Sequence, residues 1–227
     1  QRAAEIGYEN VFDYSLGNPS VPCPQEVNDT AVRILREQPE VIHCYTSAQG
    51  DQEARELCGQ LRQELIRDVA RTGGHLSSNL GVVELTVAIH RVFDTSRDRL
   101  VFDVGHQSYP HKMLTGRREQ MSTIRQLGGS AGFPKPSESV HDAFIAGHAS
   151  NSVAVAVGMA RARDMLGEDY RVLALIGDGA LTGGLAYEGL STAGQSRGQL
   201  LVILNDNGMS ITKNVGGVAE HLARQRL

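Results

Sequence analysis

A parallel α/β sheet flanked by helices is the fold this sequence predicts, on three observations. Two apolar runs, Val172-Leu173-Ala174-Leu175-Ile176 and Leu200-Leu201-Val202-Ile203-Leu204, each end in a polar turn, Gly177-Asp178-Gly179 and Asn205-Asp206-Asn207. Twenty-nine residues separate Asp178 from Asn207, the span of one strand–helix–strand unit. Upstream, strand-like and helix-length segments also alternate, as parallel layers require.

The first fifty residues read differently from the rest. Pro19, Pro22 and Pro24 punctuate a turn region unsuited to helix or central strand. A helix follows over 25–37, with Val27, Ala31, Ile34 and Leu35 at helical spacing, and Pro39 ends it. Over 53–69 the residues Leu57, Leu61, Leu65 and Ile66 predict one apolar helical face, stopped at Thr72-Gly73-Gly74. A second helix is expected over 81–93, with Val83, Val87 and Ile89 inward. Residues 100–104 form the first strand, continuous in apolar character as a doubly covered strand would be, with Gly105-His106 at its carboxyl end. The Gly-, Pro- and Ser-rich stretch 116–142 reads as a long mobile loop near the site. Residues 151–166 form a helix of small residues that allow close approach to a neighbour.

Composition excludes several function classes. The 41% hydrophobic and 21% charged residues describe a folded α/β protein, and the net charge of −4 leaves no basic excess for nucleic acid or an acidic membrane. No apolar run approaches bilayer length and no signal sequence opens the chain, so a cytoplasmic location is expected. Cys23, Cys44 and Cys58 lack metal-ligand spacing and read as ordinary thiols.

The chemistry is expected at the strand ends, where open parallel sheets bind ligands. A carboxylate from Asp178 and an amide oxygen from Asn207 can grip a small hard cation. Mg²⁺ suits them, since it wants oxygen ligands and keeps positions open for phosphates. Gly179 lets the backbone pass close to a diphosphate, and the helix that follows presents its amino end.

The pair GDGALTGG and NDNGMSI resembles the thiamine-diphosphate motif. Five stretches, TGGHLSSNLGVVELTVAIHRVF (72–93), VFDVGHQSYPHKMLTGR (101–117), AGHASNS (146–152), IGDGALTGGLAYEGL (176–190) and LVILNDNGMSITKNVG (201–216), resemble the amino-terminal part of the 1-deoxy-D-xylulose-5-phosphate synthase family. That resemblance implies a transferase of the transketolase type with a truncated thiamine-diphosphate-binding fold over 51–227. It implies Mg²⁺ on Asp178, Asn207 and the backbone of Met209, with Gly208 departing from the family's usual polar residue. It places Gly147, His148, Ala149, Gly179, Ala180 and Asn207 against the cofactor. It makes His75 and His106 active-site histidines suited to proton transfer or oxyanion stabilisation, His106 also touching the cofactor. His111 with Lys112 would help hold a phosphorylated substrate or lie at the surface, while His43, His90, His141 and His221 would be structural.

Pyruvate and D-glyceraldehyde 3-phosphate are the implied substrates, in a homodimer. The activating glutamate belongs to a pyrimidine-binding domain absent from this chain, which alone would be inactive. The alternatives are a transketolase acting on sugar phosphates, and an inactive fragment that binds Mg²⁺–diphosphate at most. Residues 1–50 resemble the amino-terminal segment of pyridoxal-phosphate aminotransferases, through FDYSLGNPSVPCP (12–24) and HCYTSAQGDQEARE (43–56), without a cofactor lysine. A junction is therefore expected near Gly50.

Overall fold

The structure, a computed structural model, describes residues 25–37, 49–196, 198–206 and 214–225. The chain divides into two compact units, Gln1–Gly50 and Asp51–Leu227. In the first unit α1 (Gln25–Glu37) occupies the expected range, with Gln25 bonded to Asp29 one turn on.

The second unit opens with α2 (Gln52–Thr72), whose Asp51 cap accepts the Ala54 N–H at 2.8 Å. Cys58, Leu61, Leu65 and Val69 make its buried stripe at i, i+3, i+7 and i+11. Ile66, expected on that face, is 48% exposed, because one residue past Leu65 turns the side chain about 100° away. Next come α3 (Leu76–Leu80) and α4 (Val83–Val92), the latter shorter than expected. Their inner faces pack with Tyr109, Met113, Met121 and Ile124 into a helical core apart from the sheet.

Three strands, β1 (Arg99–Phe102), β2 (Val172–Gly177) and β3 (Leu201–Asn205), form a parallel sheet in the order β1-β2-β3. Between β1 and β2 lie α5 (Tyr109–Lys112), looser helical turns over Met113–Arg117 and Glu119–Thr123, and α6 (Ser152–Leu166). After β2 the chain forms α7 (Asp178–Leu181) and α8 (Gly184–Gln195), and it closes with α9 (Gly217–Gln225) beyond β3.

Alternation explains the continuous apolar strands. Leu173 and Leu175 face one layer with Leu100, Phe102 and Ile89, while Val172, Ala174 and Ile176 face α6 through Val153, Ala156 and Ala160. Small residues bring α6 and α8 together, as expected: a Cβ on Gly189 would lie 2.8 Å from the Ala154 nitrogen. β3 departs from the buried strand expected, with Leu201 44% and Leu204 37% exposed. Among the described residues it has a hydrogen-bonded neighbour on one side only, which makes it the edge of this sheet.

Candidate functional site

Register brings the two polar turns together. Gly177 pairs with Asn205 across β2 and β3, so Asp178 and Asp206 leave adjacent strand tips at the same end. Asp178 is buried, begins α7, and accepts a hydrogen bond at Oδ2 from Asn214 Nδ2 at 2.8 Å.

β1 ends beside them in a bend that the expected strand, 100–104, overruns. Val104 has φ 57° and Gly105 φ 84°, conformations that no strand continues. Asp103, 1% exposed, holds the bend: its carboxylate accepts the Ser150 N–H at 2.7 Å and the Ser152 N–H at 2.9 Å. The Val104 N–H in turn bonds the His148 carbonyl at 3.3 Å. Ser150 is also left-handed, at φ 72°, and its hydroxyl donates to the Ala180 carbonyl at 2.7 Å. Through these bonds the 147–152 turn is tied to the tips of β1 and β2.

A cavity of about 450 Å³ opens at these tips, in the size range of ligand pockets. Asp103, His106, Ala149, Ser150, the residues from Gly177 to Ala180, Gly183 and Asn205 are among those lining it. Gly183 caps α8, so the amino end of that helix meets the cavity wall.

The rings of His75 and His106 meet edge to face, their centroids 5.3 Å apart, and Phe133 lies 6.2 Å from His75. Burial, with the Arg125 charge, lowers the His75 pKa. Burial foremost, then His75, lowers that of His106 against the opposing pull of Asp103. Both imidazoles are therefore neutral near pH 7 and able to take up a proton. Nδ1 of His106 is buried and makes no hydrogen bond.

Of the residues expected at the site, His106, Ala149, Asp178, Gly179 and Ala180 line the cavity. The His75 ring meets that of His106, and Gly147 and His148 are exposed in the adjoining turn. Asn207 and Met209 lie outside the described residues, as do His43, Cys23 and Cys44. Among the described residues no group of three His, Cys, Asp or Glu side chains gathers for a metal. The expected Mg²⁺ set needs none, since it has one carboxylate, one amide oxygen and one backbone carbonyl.

His111 and Lys112 do not sit at the surface: both side chains are almost wholly buried and engaged within the protein. Lys112 Nζ meets Glu138 at 2.7 Å, Arg117 grips Asp142 through two bonds of 2.7 and 2.8 Å, and His111 Nε2 reaches Asp142 at 3.0 Å. The same carboxylates bracket the loop, Glu138 accepting the Ala131 N–H and Asp142 the Lys135 N–H. Pro134 between them packs on Gly105, where an added Cβ would stand 2.6 Å from its Cδ and 2.5 Å from the Ala146 Cβ. The stretch expected to be a mobile loop is thus clamped at two points. Gly105→Ala, strained in φ and clashing with Pro134, should cost at least about 2 kcal/mol in thermal unfolding.

Tautomers follow from the donors. The Asp142 carboxylate only accepts, so His111 carries its proton on Nε2 and accepts at Nδ1 from His90 Nε2, 2.9 Å away. Burial foremost, then His111 and His141, lowers the His90 pKa from 6.5 to about 4. The unfolded chain therefore binds the extra proton first, and stability falls as pH drops from 6.5 toward 4. Asp142 continues the trend at lower pH. Burial would raise its pKa, but bonds from His111 and Arg117 hold it far below 3.8, so its stabilising share disappears in stronger acid. Melting temperatures should fall steadily over the His90 window, and His90→Gln should flatten that slope.

The parallel layers and the tip cavity define an open α/β domain with a ligand-sized site at its strand ends, and comparison places that domain in the transketolase type. A transketolase mutant from Pichia stipitis superposes with a TM-score of 0.59 at 25% identity, over 71% of this chain and 28% of that one. A family profile described as 1-deoxy-D-xylulose-5-phosphate synthase matches residues 45–227. Synthases so named from Symbiobacterium thermophilum and Chromohalobacter salexigens are 58% identical over 174 residues and 56% identical over 201. Those matches cover 77% and 88% of this chain but 27% and 30% of the relatives, so the chain spans less than a third of their length. The second is longer than the Asp51–Leu227 unit and reaches into the first fifty residues. The chain belongs to the 1-deoxy-D-xylulose-5-phosphate synthase family.

Proposed function

We propose that this chain supplies the diphosphate- and Mg²⁺-binding half of a thiamine-diphosphate-dependent synthase. The whole enzyme joins pyruvate to D-glyceraldehyde 3-phosphate, giving 1-deoxy-D-xylulose 5-phosphate and CO₂. The observation that carries this reading is the buried Asp178 at a strand tip, opening a glycine-rich wall of the cavity that His106 also lines. The donor set fits the group: one carboxylate for a hard cation, glycines where a diphosphate would approach, and a helix amino end for its charge. The buried, unbonded Nδ1 of His106 is a polar atom left for a ligand.

Thiamine diphosphate, when bound, supplies the nucleophilic carbon and electron sink for two-carbon transfer. Asp178, Asn207 and the Met209 carbonyl would hold Mg²⁺ and through it the diphosphate. Gly179, Ala180 and the 147–149 turn would flank the cofactor. Neutral His106 and His75 would accept or return protons at the substrate oxygens, and Phe133 and Pro134 would keep water from them. The activating glutamate would come from a pyrimidine-binding domain of the full enzyme, which we assign to a cytoplasmic homodimer. Among the described residues no helix is long and apolar enough to cross a membrane. We read an aminotransferase-like segment at the start of residues 1–50, whose later part is also reached by the 201-residue synthase match; the first lysine in the chain is Lys112, so no pyridoxal-phosphate binding is expected from them.

Calorimetric titration with thiamine diphosphate should show binding that requires Mg²⁺. Turnover of pyruvate with glyceraldehyde 3-phosphate by the chain alone should stay at background. Cofactor binding indifferent to Mg²⁺ would overturn the site reading, and robust turnover would overturn the shared-site reading.

A further inference from the structure

We infer that Asn79 is a positioning residue that sets the spacing of His75 and His106. The inference rests on the proposal that these histidines serve the reaction. The Asn79 side chain is fully buried and uses every polar group it has. Its Nδ2 donates to the His75 carbonyl at 2.6 Å and to the His106 carbonyl at 2.8 Å. Its Oδ1 accepts the Tyr109 N–H at 2.8 Å. One amide thus clasps two turns that lie 27 residues and more apart in sequence.

A capping role inside α3 would explain the bond to His75, four residues back, but not the other two. An aspartate could not donate and would set charged oxygens against two carbonyls. An apolar residue would leave three backbone groups without this partner. With the clasp in place the backbones of both histidines are fixed, and their rings meet edge to face.

Loss of stability alone would not separate positioning from plain support, so the test reads the coupling between the rings. His106 faces His75 and Asp103, and His75 also faces Arg125. Imidazole titrations by NMR on the full 227-residue chain, without cofactor, form a double-mutant cycle. In the parent chain His75→Gln should move the His106 midpoint upward. In Asn79→Ala the same change should leave it unmoved. Asn79→Gln keeps the amide but lengthens its reach, and should also weaken the coupling. An equal His106 shift in all backgrounds overturns the inference.

A measurement free of variants stands beside the cycle. The Asn79 side-chain amide protons should exchange slowly and show contacts to both His75 and His106. Rapid exchange or the absence of those contacts overturns the inference even if no variant folds. Failure to bind thiamine diphosphate would remove the chemical role of the histidines but leave the coupling intact, so the two readings fail separately.

Discussion

Replacing Asp178 with alanine should sharply weaken Mg²⁺-dependent binding of thiamine diphosphate and leave the fold in place. Asp178 is the one carboxylate in the proposed metal set, and a hard cation beside a diphosphate depends on it. Changing even outer partners of metal ligands costs about 10–100-fold in affinity, so losing this ligand should cost about 100-fold or more. The group sits at the opening of the four-residue α7, not within the packed sheet face, so the melting temperature should move by only a few degrees. Asp178→Asn keeps an oxygen for the Asn214 bond but gives up the charge, and should bind at an intermediate level. Unchanged affinity in the alanine variant, with Mg²⁺ present, would remove the central support for the proposed function.

Asp142→Ala should be the most damaging change to stability. Arg117 and Asp142 are 4% and 0% exposed, so removal leaves a guanidinium buried without its bidentate partner. Breaking a buried pair from one side costs about 3–5 kcal/mol. For a chain of this size that lowers the melting temperature by roughly 6–20 °C. The Lys135 N–H and the His111 imidazole lose an acceptor in the same step. Arg62→Ala is the contrast: the Arg62–Glu84 pair is 35% and 64% exposed, and its loss should cost no more than about 1 kcal/mol. Equal melting temperatures for the two variants would falsify the account of the buried network.

Much of this was readable because it rests on local pattern. Continuous apolar runs marked β1 and β2, spaced leucines marked α2, and glycines beside Asp178 marked the tip of the sheet. What was not readable depends on contacts between distant segments. Asp103 and Asn79 look like any polar residue at the end of an element, yet each binds backbone far along the chain. A signal existed for Asp103, an acid directly after a buried run with a glycine turn behind it. His111 and Lys112 follow a proline and read as solvent-facing or phosphate-binding, because nothing local shows that Glu138 and Asp142 fold back over them. The looseness suggested by the composition of 116–142 was misleading for the same reason. Leu201 and Leu204 match a central strand in type, and only the sheet order among the described residues shows them at an edge.

The left-handed Val104 and Ser150 have a consequence for how a ligand would be met. Each such conformation stores about 1–3 kcal/mol of strain, and neither residue is a glycine that would adopt it freely. Because the Asp103 carboxylate and the His148 carbonyl hold both bends from within the protein, this wall is shaped before anything arrives. Association there needs little rearrangement, so its rate should follow diffusion and charge and not a slow opening step.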